Sequence, residues 1–163
     1  MRQVKRFLDR CLETLVMVVV ATLVIDVLWQ VFTRFILKRP SSWTEELATF
    51  LLIWVALLGA AVALGRGAHL GIDYFVAKLP ERTRLKSEVF VFACMAAFSL
   101  LVMVAGGTDL VLTTFNLHQI SPALHLDMGY VYLAVPISGA FLLLYSVIGL
   151  IERVRVLAGR QKT

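Results

Sequence analysis

The carboxylate that could carry chemistry most directly is Asp26, the one charged residue inside the apolar stretch of residues 14–33. A carboxylate in an apolar membrane helix is costly and must face protein or water, so it can serve as a proton or ion site. The alternative is a hydrogen-bonded packing residue between helices, or one close enough to the interface to stay hydrated. We favour these structural alternatives over a proton or ion site, because the other apolar stretches offer Ser99 as their main polar group at mid-depth and a pathway needs several.

A second candidate group is the acidic pair Glu45 and Glu46. Ser42 fits a helix N-cap, Glu45 three residues later completes a capping box, and acids in a first helical turn suit the helix dipole. Trp43 fits the aromatic belt of a membrane interface. This structural interpretation explains most of the motif. The functional interpretation is a docking or ion-pair cluster with nearby basic residues, which are Arg34, Lys38 and Arg39.

Other chemistry has little support in the sequence. His69 and Asp73 are four residues apart and could ligate a metal, but no second His or Cys lies nearby, so we favour helix termination and surface polarity. The three histidines, His69, His118 and His125, fall in connections, which argues against a haem-binding subunit with axial histidines inside its helices. We find no phosphate loop and no nucleophile–base pair, and we expect neither an enzyme nor a resident cofactor or metal.

Long apolar stretches of the chain must form the helices that position Asp26, Glu45 and Glu46. Three of them carry no Asp, Glu, Lys or Arg, at residues 47–65, 89–108 and 128–151. About 20 apolar residues suffice for a helix to cross the hydrocarbon core of a bilayer. The sequence, 60% hydrophobic over 163 residues, therefore predicts an all-α integral membrane protein: one domain, residues 1–163, with four transmembrane helices in a bundle. The predicted spans are about residues 12–34, 43–65, 86–112 and 128–151.

Basic residues predict the orientation of these helices. The amino-terminal segment, the second connection and the carboxy-terminal tail hold thirteen of the Lys and Arg residues, whereas the first connection holds three and the third holds none. Since basic segments stay in the cytoplasm, both termini are predicted inside, with residues 38–42 and 116–127 outside. The net charge of +5 is then explained by topology, and we expect no nucleic-acid partner.

Other residues predict local helix features. Gly59 and Ala63 belong to a small-residue surface that lets membrane helices approach closely. Pro136 is expected to kink the fourth span and to free the carbonyl of Tyr132. The pair Gly106–Gly107 is expected to loosen or end the third span.

A short amphipathic helix is predicted at residues 71–79, between the second and third spans. Ile72, Phe75, Val76 and Leu79 share one helical face there. The helix either lies in the cytoplasmic interface in contact with lipid or packs on the protein's own spans or on a partner.

Two passages carry a family resemblance. One runs from Trp43-Thr44-Glu45-Glu46-Leu47-Ala48 through Trp54 and Gly59-Ala60 to residues 69–73; the other joins residues 120–124 to residues 128–139. In order and spacing the chain resembles the small membrane subunit of tripartite ATP-independent periplasmic (TRAP) transporters, the DctQ-like family. No single motif is diagnostic, but the ordered set covers nearly the whole chain.

The resemblance implies a function in a bacterial inner membrane. A periplasmic binding protein would capture an organic anion of the carboxylate or sialic acid type. A large multi-span subunit, which would also bind the coupling sodium ions, would move it. The small subunit would brace the large one and help receive the binding protein, with Trp43, Glu45 and Glu46 as candidate contacts. The rival hypothesis is an autonomous small carrier or channel that uses Asp26 as its coupling group.

Overall fold

The computed structural model describes residues 2–39, 41–66 and 81–160, and side chains within residues 8–39, 41–66 and 83–158. Its helices follow the apolar stretches. They are α1 (Arg2–Phe35), α2 (Ser42–Gly65), α3 (Glu81–Phe98), a π-helical segment (Ser99–Gly106), α4 (Gly107–Asn116), α5 (Met128–Tyr132) and α6 (Ala134–Arg160). The predicted amphipathic helix at residues 71–79 lies outside the described residues and stays a prediction.

Within the described residues, four helices are long and apolar enough to cross a membrane, at Leu8–Phe35, Ser42–Gly65, Thr83–Asn116 and Met128–Ala158. The third long helix joins α3, the π-helical segment and α4 without a break, and the fourth joins α5 and α6. The described residues contain no β-strand, only one isolated bridge between Ile120 and Asp127. The predicted all-helical membrane architecture is thereby confirmed at the level of helix number and length.

The long helices pack in the order first, second, fourth, third. α1 has α2 as its principal neighbour, and α6 contacts both α2 and the third long helix. We call the end with residues 36–39, 41 and 117–127 the loop end, and the end with residues 2 and 160 the terminal end. The first and third helices therefore occupy the two edges of the molecule, and each presents much apolar surface outward.

The buried core lies where α1, α2, the π-helical segment and α6 meet. Its members are Leu12, Leu58, Ala61, Leu64, Met103, Leu142 and Tyr145. Many other large apolar side chains are exposed, as at Met17 and Ile25 of α1. Among lipid tails this exposure has no hydrophobic penalty, so close van der Waals packing must hold the helices together.

Glycines permit that close packing at specific positions. A Cβ at Gly139 would lie 2.6 Å from Met103 Cβ, and one at Gly65 would lie 3.0 Å from the Tyr145 ring. A Cβ at Gly107 would meet Val135 and the Pro136 ring at 2.9 and 3.2 Å. At Gly59, by contrast, a Cβ would meet no atom of the described residues within 4 Å. Within the described part of the chain, Gly59 is not a close-packing position; packing on a partner there stays a prediction, as does the role of partly buried Ala63.

The fourth long helix has a turn at Leu133, three residues before Pro136. The N–H groups of Leu133 and Ile137 donate to Gly129 O and Leu133 O at 3.1 and 3.2 Å, as in a regular helix. The bond that is missing between them is the one to the carbonyl of Tyr132, because Pro136 has no N–H; the predicted kink stays a prediction. The third long helix does not end at Gly106–Gly107. It changes there from π-helical to α-helical geometry and continues to Asn116.

The start of α2 differs from the prediction. The N-cap is Ser41, not Ser42, and its side chain makes no capping hydrogen bond. Its hydroxyl instead lies 2.5 Å from that of Thr44, and Thr44 Oγ1 donates to the carbonyl of Ser41 at 2.8 Å. The predicted capping box with Glu45 is wrong, because shifting the cap by one residue places Thr44 at the position that the acid would need.

Candidate functional site

The loop of residues 117–127 is an ordered structure at the loop end. The N–H of Ser121 donates to Leu126 O and that of Met128 donates to Gln119 O, both at 2.8 Å. The buried Ser121 side chain also accepts the N–H of Leu126 at 3.3 Å. These bonds fold the loop back on itself, so its backbone is well satisfied despite the absence of regular secondary structure.

Glu46 fixes this loop to α2. Its Oε2 accepts the backbone N–H of Ala123 at 2.9 Å and that of Leu124 at 2.8 Å. Two successive N–H groups that converge on one carboxylate oxygen form an anion-binding concavity, and each charge-assisted bond is stronger than a neutral one. The carboxylate therefore connects the second helix to the loop between the third and fourth, across more than seventy residues of sequence.

An aromatic contact closes the base of the loop. The rings of Phe115 and Tyr130 meet edge to face, with centroids 5.2 Å apart and planes at 84°. Phe115 lies so close to Gly129 that a Cβ there would come within 2.6 Å of its ring. The end of α4 and the start of α5 are thus in direct contact.

Glu45, unlike Glu46, makes no hydrogen bond to the loop among the described residues. Its side chain is exposed and lines an open groove between α2 and the loop, together with Thr49, Pro122 and Ala123. Trp43 stands at the same end of α2 and is 43% exposed. Among the described residues, neither Glu45 nor Glu46 forms an ion pair with Arg34, Lys38 or Arg39. The three candidate contacts therefore share one face, with Glu46 engaged internally and Glu45 and Trp43 accessible.

Asp26 is buried, with 6% of its surface exposed. Its Oδ2 has no hydrogen-bond partner within the described part of the chain. Thr22 precedes it and Gln30 and Thr33 follow it at helical spacing on α1, but Thr22 and Thr33 bond to carbonyls of their own helix. The structure thus buries Asp26 and does not choose between a proton or ion site and a packing residue.

A polar cluster at the terminal end joins three helices. Tyr145 of α6 donates its hydroxyl hydrogen to Asp9 of α1 at 2.5 Å. Arg66, which directly follows α2, donates from Nε and Nη2 to Glu13 Oε1 at 3.0 and 2.9 Å. These four side chains, with Leu12, Val62 and Gly65, surround a small cavity. The cluster ties the edge helix α1 to both of its neighbours.

Glu88 makes the corresponding connection between α3 and α6. Its carboxylate lies 3.0 Å from Nε of Arg84, one turn away, and 3.0 Å from Nε of Arg153 on α6. Its side chain is 12% exposed, against 34% for Glu13. Charged pairs thus hold the terminal ends of neighbouring helices at both edges of the molecule.

Sequence reasoning placed Glu46 in the first turn of α2, with a docking or ion-pair cluster as the functional alternative, and did not predict its bonds to the loop. It did not identify Asp9, Glu13, Glu88, Arg153 or Tyr145. The feature that could have drawn attention to these residues is an acidic residue or a tyrosine near the end of a span. Charged residues at a membrane interface normally indicate only topology, so sequence spacing could not show which residues pair with each other. His69 and Asp73 lie outside the described residues; among those described, no group of three or more His, Cys, Asp or Glu is placed to hold a metal ion.

Four membrane-length helices, a loop end ordered by a carboxylate and a terminal end joined by ion pairs define a multi-pass helical membrane protein. The family model described as "Tripartite ATP-independent periplasmic transporters, DctQ component" matches residues 23–156. The chain belongs to this family, the small membrane subunits of TRAP transporters.

Curated relatives agree with this assignment. The sialic acid TRAP transporter small permease protein SiaQ of Vibrio cholerae is 35% identical over 85 residues, which are 52% of this chain and 49% of the relative. The C4-dicarboxylate TRAP transporter small permease protein DctQ of Rhodobacter capsulatus is 31% identical over 102 residues, 61% of this chain and 44% of the relative. The chain thus spans about half the length of these two relatives.

A third relative is much longer than this chain. The isethionate TRAP transporter permease protein DctMQ of Oleidesulfovibrio alaskensis is 32% identical over 96 residues, 59% of this chain but 15% of the relative. The matched relatives are transporter subunits, which are not enzymes.

Proposed function

We propose that this chain is the scaffold subunit of a sodium-coupled TRAP transporter for an organic anion. It braces a large transport subunit, which holds the sodium ions and the pathway, and its loop end helps to dock a periplasmic binding protein. The relatives named above carry sialic acid, C4-dicarboxylate and isethionate in their names, and all three are organic anions. In a bacterial inner membrane, with both termini cytoplasmic, the loop end faces the periplasm.

The observation that carries this proposal is the exposed surface of α1. The helix packs principally on α2, and Met17, Ile25 and Leu28 are each more than 60% exposed. An edge helix with bulky side chains offers a partner helix a continuous apolar surface, and the terminal-end cluster holds that surface in a fixed orientation. The long DctMQ relative, in which a segment like this chain occupies 15% of the length, supports a large membrane subunit as the partner.

The loop end supports the docking role. Two backbone bonds to Glu46 preorganise residues 117–127, so the loop does not have to be ordered when a partner binds, which reduces the entropic cost of association. Glu45 and Trp43 remain exposed beside it. An accessible acid and an amphipathic aromatic ring suit a polar protein surface with basic side chains.

Spin-label accessibility tests the α1 interface. In a background with Cys11 and Cys94 replaced by serine, Ile25→Cys is compared with Leu101→Cys on the opposite edge, two sites with 68% and 66% exposure. Each cysteine carries a nitroxide, and its collision rate with dissolved oxygen, which is concentrated among lipid tails, is measured for this chain alone and in complex with the large TRAP subunit encoded in the same genome. The oxygen collision rate at position 25 should fall in the complex while that at 101 stays. Equal collision rates at position 25 with and without the large subunit would refute this interface.

A second candidate, the autonomous carrier, has support from the unpaired Oδ2 of the buried Asp26. Liposomes that contain only the purified chain distinguish the two, with labelled sialic acid and succinate as probes and a sodium gradient imposed. The scaffold proposal expects uptake only when the large subunit and the binding protein are added. Uptake by the chain alone that is lost in Asp26→Asn would establish the carrier instead.

Orientation has its own test. Two reporters are fused separately to the carboxy terminus, one active only in the cytoplasm and one active only in the periplasm. The first fusion should be active and the second inactive. The opposite pattern would reverse the membrane orientation and would place the loop end, with Glu45, in the cytoplasm.

A further inference from the structure

The third and fourth long helices each depart from regular α-helical hydrogen bonding within a short stretch. In the third helix, residues Ser99–Gly106 are π-helical, and the N–H of Gly107 reaches back to Val102 O. In the fourth, Leu133 and Ile137 keep their α-helical bonds to Gly129 O and Leu133 O, and the missing bond is the one that Pro136 cannot donate to Tyr132. π-helical turns and prolines are the usual positions at which a helix bends.

These two irregular stretches face each other across the helix interface. Gly139 lies against Met103, where a Cβ would come within 2.6 Å of the Met103 Cβ. Gly107 lies against Val135 and Pro136, where a Cβ would come within 2.9 and 3.2 Å. Each helix thus contributes one glycine to the contact, and both irregular stretches fall at the same level of the molecule.

Beyond this level, the chain forms one body at the loop end. We call residues 107–132 the cap. Phe115 packs on Gly129 and meets the Tyr130 ring edge to face. The bond from Met128 N to Gln119 O and the Ile120–Asp127 bridge close its loop. The chain connects to the cap at two points, residues 106 and 133, and each point lies in one of the irregular stretches.

We propose that the cap pivots as a unit about the paired irregular stretches, and that Glu46 sets its resting position. The bonds from Ala123 and Leu124 to Glu46 are the polar connection between the cap and α2 in the described residues. Hinges of this kind concentrate a rotation in a few residues at the ends of regular elements. The inference concerns the motion of this chain itself and does not depend on the proposed function.

Distance measurements between spin labels test the pivot in the full chain, in lipid nanodiscs, with Cys11 and Cys94 replaced by serine. One pair joins the cap to the terminal half of α6, at Leu112 and Val154; the control pair, Ala140 and Val154, lies within α6. All three labelled positions are exposed sites on helices. The distance distribution of the first pair should be about twice as wide as that of the control, because a pivoting body samples several orientations.

Two variants locate the pivot. Pro136→Ala restores an N–H for the Tyr132 carbonyl and should narrow the 112–154 distribution toward the control width. Glu46→Ala, which lies outside the pivot, should broaden the same distribution and leave the 140–154 pair unchanged. A 112–154 distribution as narrow as the control in the unaltered chain would overturn the proposal. A broad distribution that neither variant changes would overturn it equally, and Glu46→Ala keeps the test decisive if Pro136→Ala does not fold.

Discussion

Tyr145 donates its hydroxyl hydrogen to Asp9 Oδ1 at 2.5 Å, and this bond joins the first long helix to the fourth. The two helices have little other contact, since α1 packs principally on α2. The tyrosine ring lies over Gly65 of α2, where a Cβ would come within 3.0 Å of it. One side chain of the fourth helix therefore contacts both the first and the second, and its position depends on the missing side chain of a glycine.

Tyr145→Phe should lower the stability of the protein by about 1–2 kcal/mol, because it leaves the ring in place and removes a hydrogen bond to a carboxylate. The measurement is the thermal unfolding midpoint in a mild detergent. Tyr130→Phe is the matched control, since the Tyr130 hydroxyl makes no hydrogen bond within the described residues and its ring contact with Phe115 is kept. Equal midpoints for the two variants would show that the Asp9 bond contributes nothing.

Glu46→Ala should release the loop of residues 117–127, whereas Glu45→Ala should not. Amide hydrogen exchange at Ala123 and Leu124 reports this directly, because those N–H groups donate to Glu46. Loss of a charge-assisted bond should speed their exchange by about tenfold or more. Glu46→Gln keeps an acceptor oxygen without the charge and should give an intermediate rate. Unchanged exchange in Glu46→Ala would contradict the anchoring role, and faster exchange in Glu45→Ala would contradict the separation of roles.

Gly139→Ala should destabilise the contact between the third and fourth helices by about 1–3 kcal/mol, the usual cost of overpacking. The new Cβ would lie 2.6 Å from Met103 Cβ and 3.2 Å from the Met103 carbonyl carbon, so backbone must move. Gly59→Ala is the control, because the same methyl group there meets no described atom within 4 Å. Thermal unfolding of both variants checks this, and a Gly59→Ala variant as unstable as Gly139→Ala would show that the glycine contact is not the cause.

Glu88→Ala should cost more stability than Glu13→Ala, although both residues take part in ion pairs at the terminal end. The Glu13–Arg66 pair is largely exposed and should contribute at most about 1 kcal/mol. The Glu88 carboxylate is more buried and lies 3.0 Å from two arginines. Its loss should cost about 1–2 kcal/mol, because it removes a charge-assisted hydrogen bond from Arg84 and the ion pair with Arg153. Unfolding midpoints at low and high salt check the ranking, since salt screens the exposed pair more strongly. A reversed ranking would contradict it.

Part of the candidate site could be predicted from the sequence. The acidic pair and the tryptophan at the start of α2 stood out by residue type, and they do share one face. Their separate roles could not be predicted, because Glu45 and Glu46 carry the same side-chain carboxylate. What distinguishes them is the position of two N–H groups more than seventy residues away. The predicted N-cap of α2 was wrong by one residue, because Ser41 and Ser42 are the same residue type and cap a helix equally well.

The sequence by itself determined the number of membrane-length helices, because the bilayer selects for an uninterrupted run of apolar side chains and little else. It also determined that the fourth helix lacks one backbone hydrogen bond, since proline lacks an N–H wherever it stands. Only the tertiary structure decided the helix order of first, second, fourth and third, and with it the partners of Asp9, Glu13, Glu46 and Glu88. Among lipid tails no hydrophobic force favours one pair of helices over another, so the choice depends on shape and on a few polar groups. Those contacts join residues far apart in the chain, so no local sequence pattern predicts them.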